Sequence, residues 1–173
     1  MGGIAMFQKI DPKTLDENVF SLIHDKWMLV SAGTADRCNT MTASWGGLGI
    51  LWNKCVATCY IRPQRYTREF MEAEDCFTLA FFGEEHRKAL AYCGANSGRD
   101  VDKVKECGFT VTAGESGAPY FEEAGLVLVC RKLYRQPMEP GCFLDGSLIE
   151  KNYPGGDFHI MYVGEIVECL KKG

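Results

Sequence analysis

Short extended runs rich in β-branched and aromatic residues dominate the hydrophobic pattern of this chain. Four runs lie in the first half, at 27–34, 38–45, 55–61 and 76–82, and three lie in the last third, at 109–112, 126–136 and 158–170. The pattern therefore predicts six or seven strands. The Pro- and Gly-rich stretch 137–156 interrupts the last two and is predicted to be a long loop with little regular structure.

Helical patterns are shorter and irregularly placed. One helix is predicted after Asp11-Pro12, with an apolar face formed by Leu15, Val19, Phe20 and Ile23. Others are predicted over 66–74, 84–93 and 101–107, the last capped by Asp100 and ended by Gly108. This order lacks the regular βαβ rhythm of a doubly wound sheet. We expect one domain over 1–173, mainly β with peripheral helices, built as a closed and mostly antiparallel barrel of Greek-key type.

Composition excludes some classes of protein but does not identify the function. The 173 residues are 46% hydrophobic and 24% charged, which is ordinary for a folded domain. With 19 Lys and Arg against 23 Asp and Glu, the chain lacks the cationic excess of a nucleic-acid binder. The absence of an apolar run of about 18 residues argues against a membrane helix, and segment 1–8 does not resemble a secretory signal. We therefore expect a cytoplasmic protein.

The nine cysteines are an odd number spread singly along the chain, without a C-x-x-C pair. Most are expected to be small core side chains in a reducing cytoplasm. No metal site is predicted, because the three histidines, His24, His86 and His159, lie far apart and are expected to be surface or hydrogen-bonded residues. The glycines at 46–49 lack the spacing and the following helix of a dinucleotide-binding loop.

Polar groups collect between a predicted strand end and a predicted helix start at 61–67 (IRPQRYT). The functional side chains there are Arg62, Gln64, Arg65, Tyr66 and Thr67. Guanidinium groups beside a helix start are suited to a phosphate. The alternative is an ordinary helix cap, Thr67 or Gln64, with solvated arginines paired to Glu69 or Glu72.

Two further segments carry polar groups. Ser97, Gly98, Arg99 and Lys103 lie at another predicted helix start, where the two cations could reach the same anion or pair with Asp100, Asp102 and Glu106. Segment 39–45 (NTMTASW) places Asn39, Thr42 and Ser44 in a strand beside the flat surface of Trp45. That mixture is suited to a planar heteroaromatic ring, or it marks an edge strand with a solvated side.

In this order, the segments NTMTASWG (39–46), IRPQRYT (61–67) and SGRDVDK (97–103) resemble the flavin reductase-like family, and most closely its flavoredoxin-like members. The similarity runs from about residue 15 to 135. It implies an FMN-binding split β-barrel that forms a homodimer, with the flavin near the subunit interface. Cys55 is a local departure, since relatives often carry Pro there.

The resemblance also implies roles for individual residues. Those implied to flank the isoalloxazine and ribityl chain are Asn39, Thr42, Ala43, Ser44 and Trp45. Those implied to hold the phosphate are Arg62, Gln64, Arg65, Tyr66 and Thr67. Those implied to close over the flavin are Ser97, Gly98, Arg99 and Lys103, and loop 137–156 is expected to cover the face where a hydride donor would sit.

The leading functional hypothesis is an FMN-dependent oxidoreductase that passes electrons from NAD(P)H or a reduced protein donor to a flavin or protein acceptor. No catalytic residue beyond the flavin is required. The alternatives are an FMN electron carrier without NAD(P)H activity and a non-redox module that binds flavin or haem.

Overall fold

The computed structural model describes residues 6–173, so the first five residues of segment 1–8, for which we expected no signal, lie outside the described range. Ten strands and five helices follow one another along it. The strands are β1 (Phe7–Ile10), β2 (Met28–Gly33), β3 (Cys38–Ala43), β4 (Gly46–Leu51), β5 (Lys54–Ile61), β6 (Cys76–Phe81), β7 (Val111–Ala113), β8 (Pro119–Phe121), β9 (Leu126–Pro137) and β10 (Ile160–Lys172). The helices are α1 (Val19–His24), α2 (Thr67–Ala73), α3 (Arg87–Ala95), α4 (Lys103–Cys107) and α5 (Ser147–Asn152).

Eight strands form one antiparallel sheet in the order β3-β2-β6-β9-β10-β5-β4, with β1 added beside β10. The long strand β10 pairs with β9 along one edge and with β5 and then β1 along the other. Strands β7 and β8 form a separate antiparallel pair. The predicted mainly β, antiparallel class is confirmed.

Two details of the predicted barrel are wrong. The sheet is not closed, because β3 and β4 end the pairing path without pairing with each other. It also has eight strands instead of six or seven, since β1 and β4 were not predicted as strands. Three of the first four residues of β4 are glycines, which have low strand propensity. Hydrogen bonding to β5 holds this segment in the extended conformation.

The sheet is covered by a hydrophobic cluster on each face, and strand alternation divides the side chains between them. In β9, Leu128 and Cys130 belong to one cluster, while Val127 and Val129 belong to the other. The buried Ser31 hydroxyl is satisfied by donating to Thr40 Oγ1 at 2.8 Å. Period-two alternation therefore explains why these runs could be predicted as strands.

The helix predicted after Asp11-Pro12 is wrong in its extent. Asp11 caps only a 3-10 turn over Pro12–Thr14, and the helix proper, α1, begins later with Asn18 as its cap. Phe20 was predicted on the apolar face of this helix, and it is 86% exposed.

Three predictions in the second half need correction. Asp102 is the cap of α4, because its side chain accepts from Lys105 N at 3.1 Å; Asp100 was predicted for that role. The strand predicted over 109–112 lies at Val111–Ala113. The predicted loop 137–156 contains a 3-10 turn and helix α5. Within residues 6–173, no helix has the length and apolar character needed to cross a bilayer.

Candidate functional site

Three neighbouring hollows surround the end of β3, the segment before α2 and the start of α4. The β3 hollow, of about 210 Å³, is lined by 41–45, Tyr60, Arg62, Arg65 and His159. The α3 hollow, also of about 210 Å³, is lined by 64–67, 95–98 and Lys103. The α4 hollow, of about 600 Å³, is lined by 35–40, Tyr66, Phe70, 98–105 and Val111.

The hollows share residues and together bring the predicted site segments to one region. Arg65 lines both the β3 hollow and the α3 hollow. Tyr66, Gly98 and Lys103 line both the α3 hollow and the α4 hollow. Each of the fourteen residues predicted for the site lines at least one of the three, although their roles toward a ligand stay predictions.

Side-chain contacts hold the three predicted segments together. Asn39 Nδ2 donates to Thr67 Oγ1 at 2.8 Å, which joins β3 to the start of α2. The Thr42 hydroxyl donates to the Leu90 carbonyl and so joins β3 to α3. Gly98 leaves no room for a side chain, because a Cβ there would overlap the Asn39 amide. The glycine is therefore required by close packing between the segments.

Two cations, the half-buried Arg65 and the buried Lys103, line the α3 hollow. Arg65 Nη1 donates to Gly94 O at 3.0 Å, whereas its Nη2 is buried without a hydrogen-bond partner. Lys103 is only 4% exposed, and its Nζ donates to Thr40 O at 2.8 Å and to Cys93 O at 2.9 Å. Neither cation lies within ion-pair distance of a carboxylate in the described residues 6–173.

The surroundings lower the pKa of both cations. Burial, and secondarily the positive charge of Arg65, lowers the pKa of Lys103 to about 8. Burial also lowers the pKa of Arg65. A buried positive charge without a counterion is costly, so an anion placed in the α3 hollow would stabilise both cations.

Arg62 and Gln64, which were predicted to contact phosphate, donate hydrogen bonds to protein acceptors in this structure. Arg62 Nη1 donates to Asp157 Oδ2 at 2.6 Å, and its Nη2 donates to Asn152 O at 2.9 Å. Gln64 Nε2 donates to the same Asp157 oxygen at 2.8 Å. The hydrogen bonds from Gln64 and Arg62 lower the pKa of the Asp157 carboxyl. The Asp157 carboxylate is thus the anionic group that both side chains contact in this structure.

Arg99 is also committed to a protein partner. It forms an ion pair with Glu69, and its guanidinium lies 4.7 Å from the centre of the Tyr66 ring. Arg99 is therefore ion-paired, as the alternative to anion binding predicted. Its partner is Glu69 and not Asp100, Asp102 or Glu106. The cap alternative fails at α2, where Tyr66 is the cap residue without a side-chain hydrogen bond.

His159 lines the β3 hollow, as do Met41 and Tyr60, although none of the three was predicted for the site. Its Nδ1 and the Tyr153 hydroxyl are 2.8 Å apart, and its ring centre lies 5.3 Å from that of Trp45. Burial, and secondarily Arg62, lowers the pKa of His159 to about 4, so the ring is neutral at pH 7. The residue was correctly expected to be hydrogen-bonded, but its position beside Trp45 depends on the pairing of β10 with β5.

The comparison with protein families decides the family of the chain. A family model described as a flavin reductase like domain matches residues 20–172. The chain belongs to the flavin reductase-like family. The family predicted from the three sequence segments is therefore confirmed. No curated protein matches the chain.

Solved structures of this family share the fold at low sequence identity. The flavoredoxin from Methanosarcina acetivorans has 22% identity and a TM-score of 0.68, with 95% of this chain and 75% of that chain covered. An FMN-binding domain of a flavin reductases-like enzyme from Shewanella baltica has 17% identity and a TM-score of 0.71, with coverages of 99% and 80%. An NADH:FAD oxidoreductase from Streptomyces globisporus, in complex with NAD and FAD fragments, has 19% identity and a TM-score of 0.61, with coverages of 84% and 74%.

Proposed function

We propose that this protein is an FMN-binding oxidoreductase of the flavin reductase and flavoredoxin type. In this function it passes electrons from NAD(P)H or a reduced protein donor to a flavin or protein acceptor. The observation that carries the proposal is the buried and unpaired Nη2 of Arg65, next to Lys103, at the junction of two hollows. A phosphorylated ligand would supply the anion that these cations lack.

The residues present fit FMN. Arg65 and Lys103, with the hydroxyls of Thr67 and Ser97, would hold its phosphate from the α3 hollow. The residues that would take the ring are the Thr42–Trp45 stretch and His159 of the β3 hollow. When bound, FMN supplies the hydride- and electron-transfer chemistry. This division gives the predicted phosphate role to Arg65 and Lys103, and it leaves Arg62 and Arg99 as residues that position the neighbouring segments.

The chain's own residues also set the environment of the ring. His159 stays neutral, with its orientation held by Tyr153, so it offers a hydrogen-bonding group without adding charge. Trp45 is 48% exposed and lines the β3 hollow, where its flat surface could contact the ring. Two unpaired cations nearby would stabilise negative charge that develops on a bound ligand.

We further propose that the protein acts as a homodimer in the cytoplasm. A hollow of about 760 Å³ between α1 and β4 is lined mostly by apolar residues and glycines, with some polar residues of α1 among them, and includes Trp45, which also lines the β3 hollow. Phe20 and Ile50 are 86% and 63% exposed beside it, an arrangement typical of a surface that a second subunit covers. All nine cysteines are free, which is consistent with a reducing compartment.

The dimer is tested by sedimentation. The native chain should sediment as a dimer at micromolar concentration, and Ile50→Glu should shift it toward monomer because a charge would be buried in the interface. Leu144→Glu, at an exposed position in the segment between β9 and β10, is the matched control. A native monomer at that concentration contradicts the proposal.

The visible spectrum of the purified protein tests the main proposal. Bound FMN should give a flavin spectrum, and anaerobic NADH or NADPH should bleach it. The likeness to flavoredoxin favours the electron carrier as the second candidate, which predicts bleaching by a reduced ferredoxin-type donor but not by NAD(P)H. A colourless protein whose melting temperature does not rise with added FMN would contradict both and favour a non-redox binding module.

A further inference from the structure

Two thiols lie close together on α3 and α4, next to Lys103 of the α3 hollow. Cys93 Sγ on α3 lies 3.7 Å from Cys107 Sγ at the end of α4. Cys93 is fully buried, whereas Cys107 is partly exposed and also lies 3.7 Å from the Ala89 carbonyl. The two residues are 14 positions apart, so a bond between them would close a short loop that contains all of α4.

The local structure allows the sulfurs to approach. A disulfide has its sulfurs about 2.05 Å apart, so the pair would have to close by about 1.7 Å. Helix α4 has only five residues and ends at Gly108, whose φ of 67° lies in the left-handed region that glycine adopts without strain. Cys107 therefore lies at the end of one short helix, directly before a glycine.

We propose that Cys93 and Cys107 are a reversible disulfide site that is oxidised by hydrogen peroxide. The thiolate of Cys107 attacks one peroxide oxygen, which forms a sulfenic acid and releases hydroxide. The Cys93 sulfur then attacks the Cys107 sulfur, and the hydroxyl group leaves with the Cys93 proton as water. In total, two thiols and one hydrogen peroxide give one disulfide and two water molecules.

The surroundings assign the order of these two steps. Burial, and secondarily the neighbouring Cys107, raises the pKa of Cys93 to about 12, so this thiol stays protonated. Burial raises the pKa of Cys107 as well, so the order rests on access: Cys107 is the partly exposed thiol, and solvent and peroxide reach it first. The wholly buried Cys59 and Cys130 are shielded from the oxidant while the chain is folded.

The bond would join the two helices that bound the α3 hollow. The Cys93 carbonyl accepts a hydrogen bond from Lys103 Nζ at 2.9 Å, and Lys103 is the first residue of α4. The thiol pair and the cation therefore belong to one packed unit. The site does not depend on the identity of the ligand in the hollow, and it stands or falls separately from the proposed function.

Peptide mapping tests the site in the full chain. The folded protein is treated with hydrogen peroxide, its remaining thiols are blocked with N-ethylmaleimide, and it is cut by a protease that cleaves after glutamate. Cleavage after Glu85, Glu106 and Glu115 yields peptides 86–106 and 107–115, each with one cysteine. We expect the two peptides to appear linked, two hydrogens lighter than their sum, and to separate after dithiothreitol.

Variants provide the matched controls. Cys107→Ser should abolish the linked peptide, and Cys142→Ser, at an exposed cysteine remote in sequence, should leave it unchanged. The proposal is overturned if both peptides carry the maleimide after peroxide while the far-UV spectrum stays native. It is equally overturned if Cys93 links to a cysteine other than Cys107. The unsubstituted chain decides the question even if Cys107→Ser does not fold.

Discussion

Replacing Arg65 with alanine removes the side chain shared by the β3 hollow and the α3 hollow. In the folded protein this guanidinium makes one hydrogen bond, from Nη1 to Gly94 O at 3.0 Å, and keeps Nη2 buried without a partner. The change therefore removes little that the ligand-free protein uses. It removes a donor that a phosphate would satisfy.

The expected magnitudes differ between binding and folding. A charge-assisted hydrogen bond contributes about 1.5–3 kcal/mol, so Arg65→Ala should weaken FMN binding by about 10- to 150-fold. Without ligand, the variant loses one hydrogen bond to a carbonyl but no longer buries an unpaired cation, whose cost is visible in the lowered pKa of Arg65. The free energy of unfolding should therefore change by less than about 1 kcal/mol.

Fluorescence titration at fixed salt measures the affinity, and urea unfolding measures the stability. Riboflavin, which has no phosphate, serves as a second ligand, and its affinity should be unchanged by Arg65→Ala. Arg99→Ala is the matched variant, because that arginine forms a solvent-exposed ion pair with Glu69 and should cost about fivefold or less. Equal FMN affinity in native protein and Arg65→Ala, or an equal loss for riboflavin and FMN, would refute the reasoning.

Three further predictions concern pH, a helix cap and the core. The pKa of Lys103 is lowered to about 8 in the ligand-free protein, so its positive charge is lost as pH rises through that value. FMN affinity should therefore fall about tenfold between about pH 7 and pH 9. An affinity that does not change over this pH range would contradict the prediction. Asp102→Ala should lower the melting temperature by about 2–4 °C through loss of the α4 cap, whereas Asp100→Ala should change it far less, and equal shifts would contradict the assignment of the cap. Gly164→Ala should cost about 1–3 kcal/mol in urea unfolding, since its Cβ would stand 2.7 Å from the Cys130 Cβ and 2.8 Å from the Phe77 ring, and an unchanged midpoint would contradict that packing.

Much of the sheet could be predicted because strand alternation is a local property. The run at 126–136 divides its side chains between two clusters and becomes β9. Strands β1 and β4 could not be predicted in the same way. The first has four residues and is ordered by pairing with β10, far away in the sequence, whereas the second is rich in glycine and is ordered by pairing with the next strand, β5.

The candidate site shows the same division between local and long-range information. The three polar segments could be predicted, and so could the family, because both depend on residue types in a fixed order. Asp102 and Asp100 are two residues apart, and each is an acceptable helix cap by composition. The backbone decides between them, since only the Asp102 side chain accepts from an N–H of the first turn.

The sequence by itself determined a mainly β domain of the flavin reductase-like family and the segments that would carry its site. Only the tertiary structure decided which arginine of IRPQRYT is free. Arg62 and Arg65 are equivalent by residue type and lie three positions apart. Asp157, 95 positions after Arg62, neutralises the first, while the second donates to the Gly94 carbonyl of α3 and keeps Nη2 buried without a partner. Charge pairing across the fold depends on which distant residues come into contact, and no local pattern in the sequence encodes that contact.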